Sequence, residues 1–368
     1  MFSPIIGDYN AYILHWDQII EGGNPWDFTE FSSEENVYGP LYVFFVLPYS
    51  IHYKFPRLLI ILSWALVSFW LLRKTLVSPK LSKFWQIILV LLICFSPFMW
   101  VRNVFIAQFD VVVGLLVLVA VAARSLGISV LTGIFTACAV ALKYYPAVLV
   151  PFFSVQNRKL DWQFIISFSL TLLAIFSFTI FQWGFTFLNA ITLTSDRQSK
   201  ILSVFRFLRG PYSPFKSIFG IQNVDQCSIP LLSLALILLL VFLIYKRIDI
   251  ISGSLLLLIT TFTLYKVGHQ QFQVTLYLLL IYWLIERAPF HQSTLVAVWL
   301  YVVFINFFDI GYYLTLYKGD WRFVRDTVGL LSFYIMTFLF ITILREALKA
   351  SPRSSELATV TNQGETIS

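Results

Sequence analysis

Residues 84–123 read FWQIILVLLICFSPFMWVRNVFIAQFDVVVGLLVLVAVAA, forty positions with two ionisable side chains, Arg102 and Asp110. A helix needs roughly 17–25 apolar residues to cross a bilayer's hydrocarbon core. The stretch therefore predicts two membrane helices, 84–98 and 104–123, parted by a short polar break. The same pattern recurs on either side, at 57–72, 161–183, 228–245, 250–266, 270–285, 294–317 and 327–344. Two segments are less regular. Residues 40–53 (PLYVFFVLPYSIHY) are short and contain Pro48, which predicts an interfacial or re-entrant element. Residues 128–155 are interrupted by Lys143-Tyr144-Tyr145-Pro146, which predicts two short helices meeting at Lys143. Pro146 disfavours helix at Tyr145, and irregular backbone at membrane depth survives only where it lines protein or water. The expectation is an all-α, polytopic membrane protein with about ten or eleven membrane elements.

Composition agrees with that class. The chain is 58% hydrophobic and 12% charged, against about 25% charged in soluble domains. Its net charge of +7 is thus read as loop charge that sets topology, and no nucleic-acid partner is expected. Cys94 and Cys138 lie in apolar runs, so the three cysteines predict neither a disulfide framework nor a metal cluster. No signal peptide is read at Met1. Phosphate-loop, dinucleotide and zinc-protease motifs are lacking, and no cofactor is expected. A filter-like loop and an Arg-rich sensor helix are lacking too.

Orientation is read from short basic loops. Residues 73–83 carry four Lys or Arg, and Arg158-Lys159 and Lys246-Arg247 form further clusters. These read as cytoplasmic. The opposite face then holds residues 1–39, with seven carboxylates and no Lys or Arg, and a long loop at 184–227. The division expected is an extracytoplasmic acidic segment with an amphipathic helix (1–39), a membrane domain (40–344) and a disordered cytoplasmic tail (345–368). Cations on the outer face gather in the long loop (Arg197, Lys200, Arg206, Arg209, Lys216) and at helix mouths (Arg57, Arg102, Lys143, Lys266). There they suit anion binding as well as topology.

Several polar residues could carry chemistry, and each has a plainer reading. Asp8 shares a helical face with Tyr12 and His15; it fits a general base or an N-cap. Asp27, after the turn Gly22-Gly23-Asn24-Pro25-Trp26, is its rival as base. Tyr38 opens Tyr38-Gly39-Pro40-Leu41. Gln108 and Asp110 stand near the mouth of a span, where ionisable groups face a bundle interior or a cavity; an Arg102–Asp110 ion pair is the alternative. Lys143, beside Tyr145, fits a phosphate ligand or a snorkelling cation. His269, in Lys266-Val267-Gly268-His269-Gln270-Gln271, fits a phosphate contact or a hydrogen-bonded turn.

Taken in order, these segments resemble the integral-membrane GT-C glycosyltransferases, in particular the bacterial polyprenol-phosphate-mannose-dependent mannosyltransferases. The resemblance rests on Gly7-Asp8 with Tyr12, Gly22 to Trp26, Tyr38 to Leu41, Ala107-Gln108-Phe109-Asp110, GIFTACAVALKYYP at 133–146, and KVGHQQF at 266–272. It covers about residues 7–285. One departure is that the family begins with a membrane helix, whereas Met1 lies seven residues before Asp8. The resemblance implies Asp8 as catalytic base and transfer of a hexose, mannose in the closest group, from a polyprenyl phosphate sugar to a glycolipid or glycan hydroxyl. Single displacement inverts the anomeric carbon. Lys143, His269, Arg206 and Arg209 are the expected donor-phosphate ligands, with Tyr12, Asp27, Tyr38, Gln108, Asp110 and Tyr145 around the cavity and no metal. The expected place is a bacterial plasma membrane, with the site extracytoplasmic. The alternative is a non-catalytic flippase of polyprenyl-linked sugars.

Overall fold

The computed structural model describes residues 8–27, 36–156, 158–214, 223–315 and 322–350. Glu30, Glu34, Glu35, Lys216 and the tail after residue 350 lie outside the described residues. The chain is helical almost throughout. It opens with α1 (Asp8–Ile20), a 3₁₀ turn at Pro40–Phe45 and α2 (Val46–Ile51). Next come α3 (Phe55–Val77), α4 (Lys83–Phe95), α5 (Pro97–Trp100), α6 (Asp110–Ser125), α7 (Ser129–Leu142) and α8 (Val150–Phe153). A two-residue hairpin, β1 (Val155–Gln156) with β2 (Lys159–Leu160), leads into α9 (Trp162–Trp183). The long loop holds α10 (Asn189–Asp196), α11 (Val204–Arg209) and α12 (Asn223–Gln226). Then follow α13 (Ser228–Lys246), α14 (Ile250–Leu264), α15 (Gln273–Arg287), α16 (Gln292–Thr315) and α17 (Arg322–Lys349).

Among the described residues, five helices are long and apolar enough to cross a membrane: Phe55–Val77, Lys83–Phe105, Trp162–Trp183, Val224–Lys246 and Phe323–Lys349. Shorter apolar helices, among them α7 and α14, complete the bundle. Two physical classes emerge. On α15 every residue from Gln273 to Ile285 is buried, and α14 is buried over most of its length. A helix that is apolar all round belongs inside a bundle. By contrast α9 and α13 present bare side chains outward, Phe181 at 90% exposure and Leu238 at 61%. Such surfaces are a liability in water and fit acyl chains. The expected 104–123 span is cut shorter: π-helical backbone at Val101–Phe105 ends the preceding helix, and α6 begins only at Asp110.

One end of the bundle is built from capped helix starts and ion pairs. Ser82, Asp161 and Asp249 cap α4, α9 and α14. Arg124 pairs with Asp161, which also accepts from the Ser129 hydroxyl at 2.6 Å. Lys74 pairs with Glu286, and Arg287 meets Asp249 at 2.6 Å. The basic loops 73–83, 158–159 and 246–247 all lie at this end. The other end holds α1, α2, the Lys143 break, the long loop and the turn between α14 and α15.

Candidate active site

The first segment docks through aromatic side chains. Tyr9, Tyr12 and Trp16, spaced three and four apart, form one buried face of α1. Tyr12 packs edge-on against Tyr38 and Tyr42, and the Tyr12 and Tyr38 hydroxyls share a 2.6 Å hydrogen bond. Behind them, Trp26 donates its indole N–H to the Tyr38 carbonyl at 2.9 Å, and Trp183 donates to the Gly23 carbonyl at 3.0 Å. The segment before the first span thus meets the start of the long loop.

Gly39 fixes where Tyr38 sits. Its N–H donates to the Leu142 carbonyl at 3.0 Å, and a Cβ there would lie 2.4 Å from the Ala141 carbonyl oxygen. Only glycine lets the Tyr-Gly-Pro-Leu element lie flat against the end of α7. That is where the helix breaks. Lys143 is extended, at φ −144° and ψ 139°. Pro146 falls in the first turn of the 3₁₀ segment Tyr145–Leu149, a position where the missing N–H matters little. The expected break therefore sits at Lys143, with Tyr145 already in the next turn.

Lys143 reaches inward from this break. Its Nζ donates to both Asp110 oxygens, at 2.8 and 2.7 Å, with both residues buried. It also sits 4.9 Å from the Tyr38 ring centre and 5.1 Å from that of Phe272. Asp110 opens α6, a favourable place for a carboxylate. Just upstream, Ala107 takes a left-handed φ of 56°, an unfavourable conformation for a residue with a Cβ. It turns the buried Gln108 to accept from Arg102 Nη1 at 3.4 Å and donate to Gln271 Oε1 at 2.9 Å.

The turn between α14 and α15 is held by the long loop. The Lys200 N–H donates to the Lys266 carbonyl at 2.9 Å and the Leu202 N–H to the Gly268 carbonyl at 3.2 Å. Gly268 again permits the approach, since its Cβ would meet the Ser203 nitrogen at 2.8 Å. This pairing sets Arg197 and Lys200 beside His269. A cavity of about 230 Å³ opens here, lined among others by Val37, Lys143, Tyr145, Arg197, His269 and Gln271. The His269 ring lies 5.9 Å from the Phe272 ring centre, which caps its separation from the Lys143 Nζ at about 11 Å. His269 lies in the turn, outside the spanning helices. Loss of hydration first, then the charges of Lys200, Lys143, Arg197 and Arg102, push its pKa down to about 3. It is neutral at pH 7, and cations surround it.

The other residues singled out by the sequence fall as follows. Tyr145 lines the cavity, its hydroxyl 2.5 Å from the Thr275 hydroxyl oxygen. Arg206 and Arg209 are not among the cavity's lining residues. Arg206 Nη2 binds Asp326 at 2.8 Å, and Arg209 donates to Gln198 at 3.0 Å and faces Asp225 at 3.5 Å. They tie α11 to α17 and to α12. Asp27 closes the Asn24 turn, its N–H donating to the Asn24 carbonyl at 3.1 Å. Asp8 begins α1, one turn before Tyr12; its side chain lies outside what is described. Among the described residues no cluster of metal-ligating side chains forms. Arg197 and Lys200, which the sequence reading passed over in favour of Arg206 and Arg209, are the loop cations whose charges bear on His269.

These features define a multi-pass helical membrane protein with a cation-lined cavity at one end. Residues 36–264 match the family model of glycosyltransferase family 87, well over half of the chain. The chain belongs to that family and is a glycosyltransferase. No curated protein matches it.

Proposed function

We propose that the enzyme transfers a hexose, with mannose the first candidate, from a polyprenyl phosphate sugar to a hydroxyl of a glycolipid or glycan. The reaction takes place on the extracytoplasmic face, in a bacterial plasma membrane by family resemblance. The observation that carries this reading is the cavity's lining: Lys143 and Arg197 face it beside His269, and Lys200 and Arg102 are near enough to help hold that histidine neutral. A phosphodiester supplies the anion such a place favours. The basic loops at the opposite end support the orientation.

In this reading the donor phosphate lies against Arg197, Lys143 and His269, with Lys200 close by. The acceptor oxygen attacks the anomeric carbon from the side opposite the phosphate. The new C–O bond forms as the bond to the phosphate oxygen breaks, so the anomeric centre inverts. Asp8 takes the acceptor's proton, Asp27 being its rival. The leaving polyprenyl phosphate gains a second negative charge, which fixed cations in a water-poor site stabilise more in the transition state than in the ground state. Asp110 keeps Lys143 in place, while Tyr12 and Tyr38 carry α1 to the cavity rim. The test is transfer by the full-length chain in liposomes, with polyprenyl phosphate mannose, glucose and galactose as donors and a cell-envelope lipid extract as acceptor. A labelled product of inverted configuration is expected. Lipid flipping without any product would replace this reading with a flippase.

A further inference from the structure

A run from buried Arg102 and Gln108 to half-buried Gln271 ends at the cavity, and its chemistry fixes what it can offer there. Arg102 has only N–H groups to give. It therefore turns the Gln108 carbonyl oxygen toward itself, at 3.4 Å. The Gln108 amide nitrogen must then point the other way, and it donates to the Gln271 oxygen at 2.9 Å. With its oxygen engaged, Gln271 has only its –NH₂ left. That group makes no hydrogen bond among the described residues, and Gln271 lines the cavity. The backbone holds the arrangement in place: Gln108 N–H donates to the Arg102 carbonyl at 3.0 Å, across the left-handed Ala107. Three other neutral groups of the lining are engaged elsewhere, which leaves the Tyr265 hydroxyl and the His269 ring beside Gln271. The Tyr144 hydroxyl donates to the Phe187 carbonyl at 3.1 Å, the Tyr145 hydroxyl meets Thr275, and the Thr261 hydroxyl donates to its own helix.

We propose that Gln271 reads a hydroxyl of the transferred sugar as a fixed hydrogen-bond donor, and that Arg102 and Gln108 are positioning residues that forbid the flipped amide. This rests on the donor reading above and adds a specificity-determining residue to it. An amide free to flip accepts or donates and tolerates either partner; one locked by a buried cation does not. The charged groups of the cavity match the phosphate, whereas a neutral donor matches a sugar oxygen.

The experiment uses the full-length chain in liposomes with polyprenyl phosphate mannose and its monodeoxy analogues. In the wild type, loss of one hydroxyl should lower kcat/KM roughly tenfold, as one hydrogen bond is lost. Gln271→Leu should raise KM for the parent sugar by a similar factor, more than it lowers kcat, and should abolish the penalty at that one position. Gln108→Leu should weaken the same penalty, and the double variant should be no worse than Gln271→Leu alone. Should either variant fail to fold, the wild-type deoxy series decides: equal rates at every position overturn the proposal. So does a Gln271→Leu enzyme that keeps the wild-type penalty. A wild-type chain inert toward every polyprenyl phosphate hexose overturns the donor reading, and this proposal with it.

Discussion

Lys143 has three N–H bonds, and two of them go to Asp110. A buried pair of this kind adds little stability when whole, yet losing one partner leaves a bare charge and costs about 3–5 kcal/mol. Lys143→Ala should therefore unfold early in detergent, as well as fail in transfer. Lys143→Met combined with Asp110→Leu should regain most of that stability and still not transfer. Thermal unfolding and a transfer assay on the same samples separate the two roles; full activity in the double variant would remove Lys143 from the donor site. His269 gives a pH signature. The unfolded chain takes up a proton near pH 6.5, while the folded histidine resists until about 3. This side chain therefore removes stability as pH falls from about 6.5 toward 3. A bound phosphodiester raises its pKa, so donor binding takes up a proton and tightens as pH falls through the bound-state value. Donor affinity measured from pH 8 to pH 5 should rise, and His269→Gln should flatten the profile. A wild-type affinity that falls as pH drops, or a His269→Gln variant with the wild-type profile, would place the donor phosphate elsewhere.

At the scale of elements, two glycines decide whether the cavity forms. Gly39→Ala puts a methyl group against the Ala141 carbonyl, an overpacking that costs about 1–3 kcal/mol. It should separate Tyr38 from Lys143 and cut transfer more than it lowers the unfolding temperature; unchanged transfer would show that the contact is dispensable. The elements differ in how legible they were. The helix break at Lys143 could be read, because a Lys-Tyr-Tyr-Pro interruption in an apolar run has a local cause. The aromatic docking of α1 was half legible: the amphipathic helix was read with Asp8, Tyr12 and His15 on one face, whereas the packed aromatic face is Tyr9, Tyr12 and Trp16. The pairing of residues 200–202 with 266–268 was not legible, since backbone hydrogen bonds across more than sixty positions leave no local pattern. The sequence therefore pointed to Arg206 and Arg209, which the fold ties to Asp326 and Asp225, and not to Arg197 and Lys200. The π-helical segment at Val101–Phe105 was hidden as well, because in composition it continues the span before it.

For the whole molecule, the proposed reaction requires the basic-loop end to face the cytoplasm and the cavity end to face outward. Cys227 is exposed at the cavity end and serves as a built-in reporter. With Cys94 and Cys138 replaced by Ala, Cys227 should react with a membrane-impermeant thiol reagent in intact cells. Ser78→Cys, in the 73–83 loop, should react only after the membrane is opened. The reverse pattern would turn the enzyme over and place its cavity among cytoplasmic donors. The proposed chemistry places catalysis at the mouth of this cavity, with Asp8 as base. It is met most directly by comparing transfer from labelled polyprenyl phosphate mannose by the wild type and by Asp8→Asn, both reconstituted in liposomes. Asp8→Asn should bind donor as the wild type does and lose roughly 10²–10⁴-fold in rate. Near-normal transfer by Asp8→Asn, with loss in Asp27→Asn, would contradict it and give the proton to Asp27.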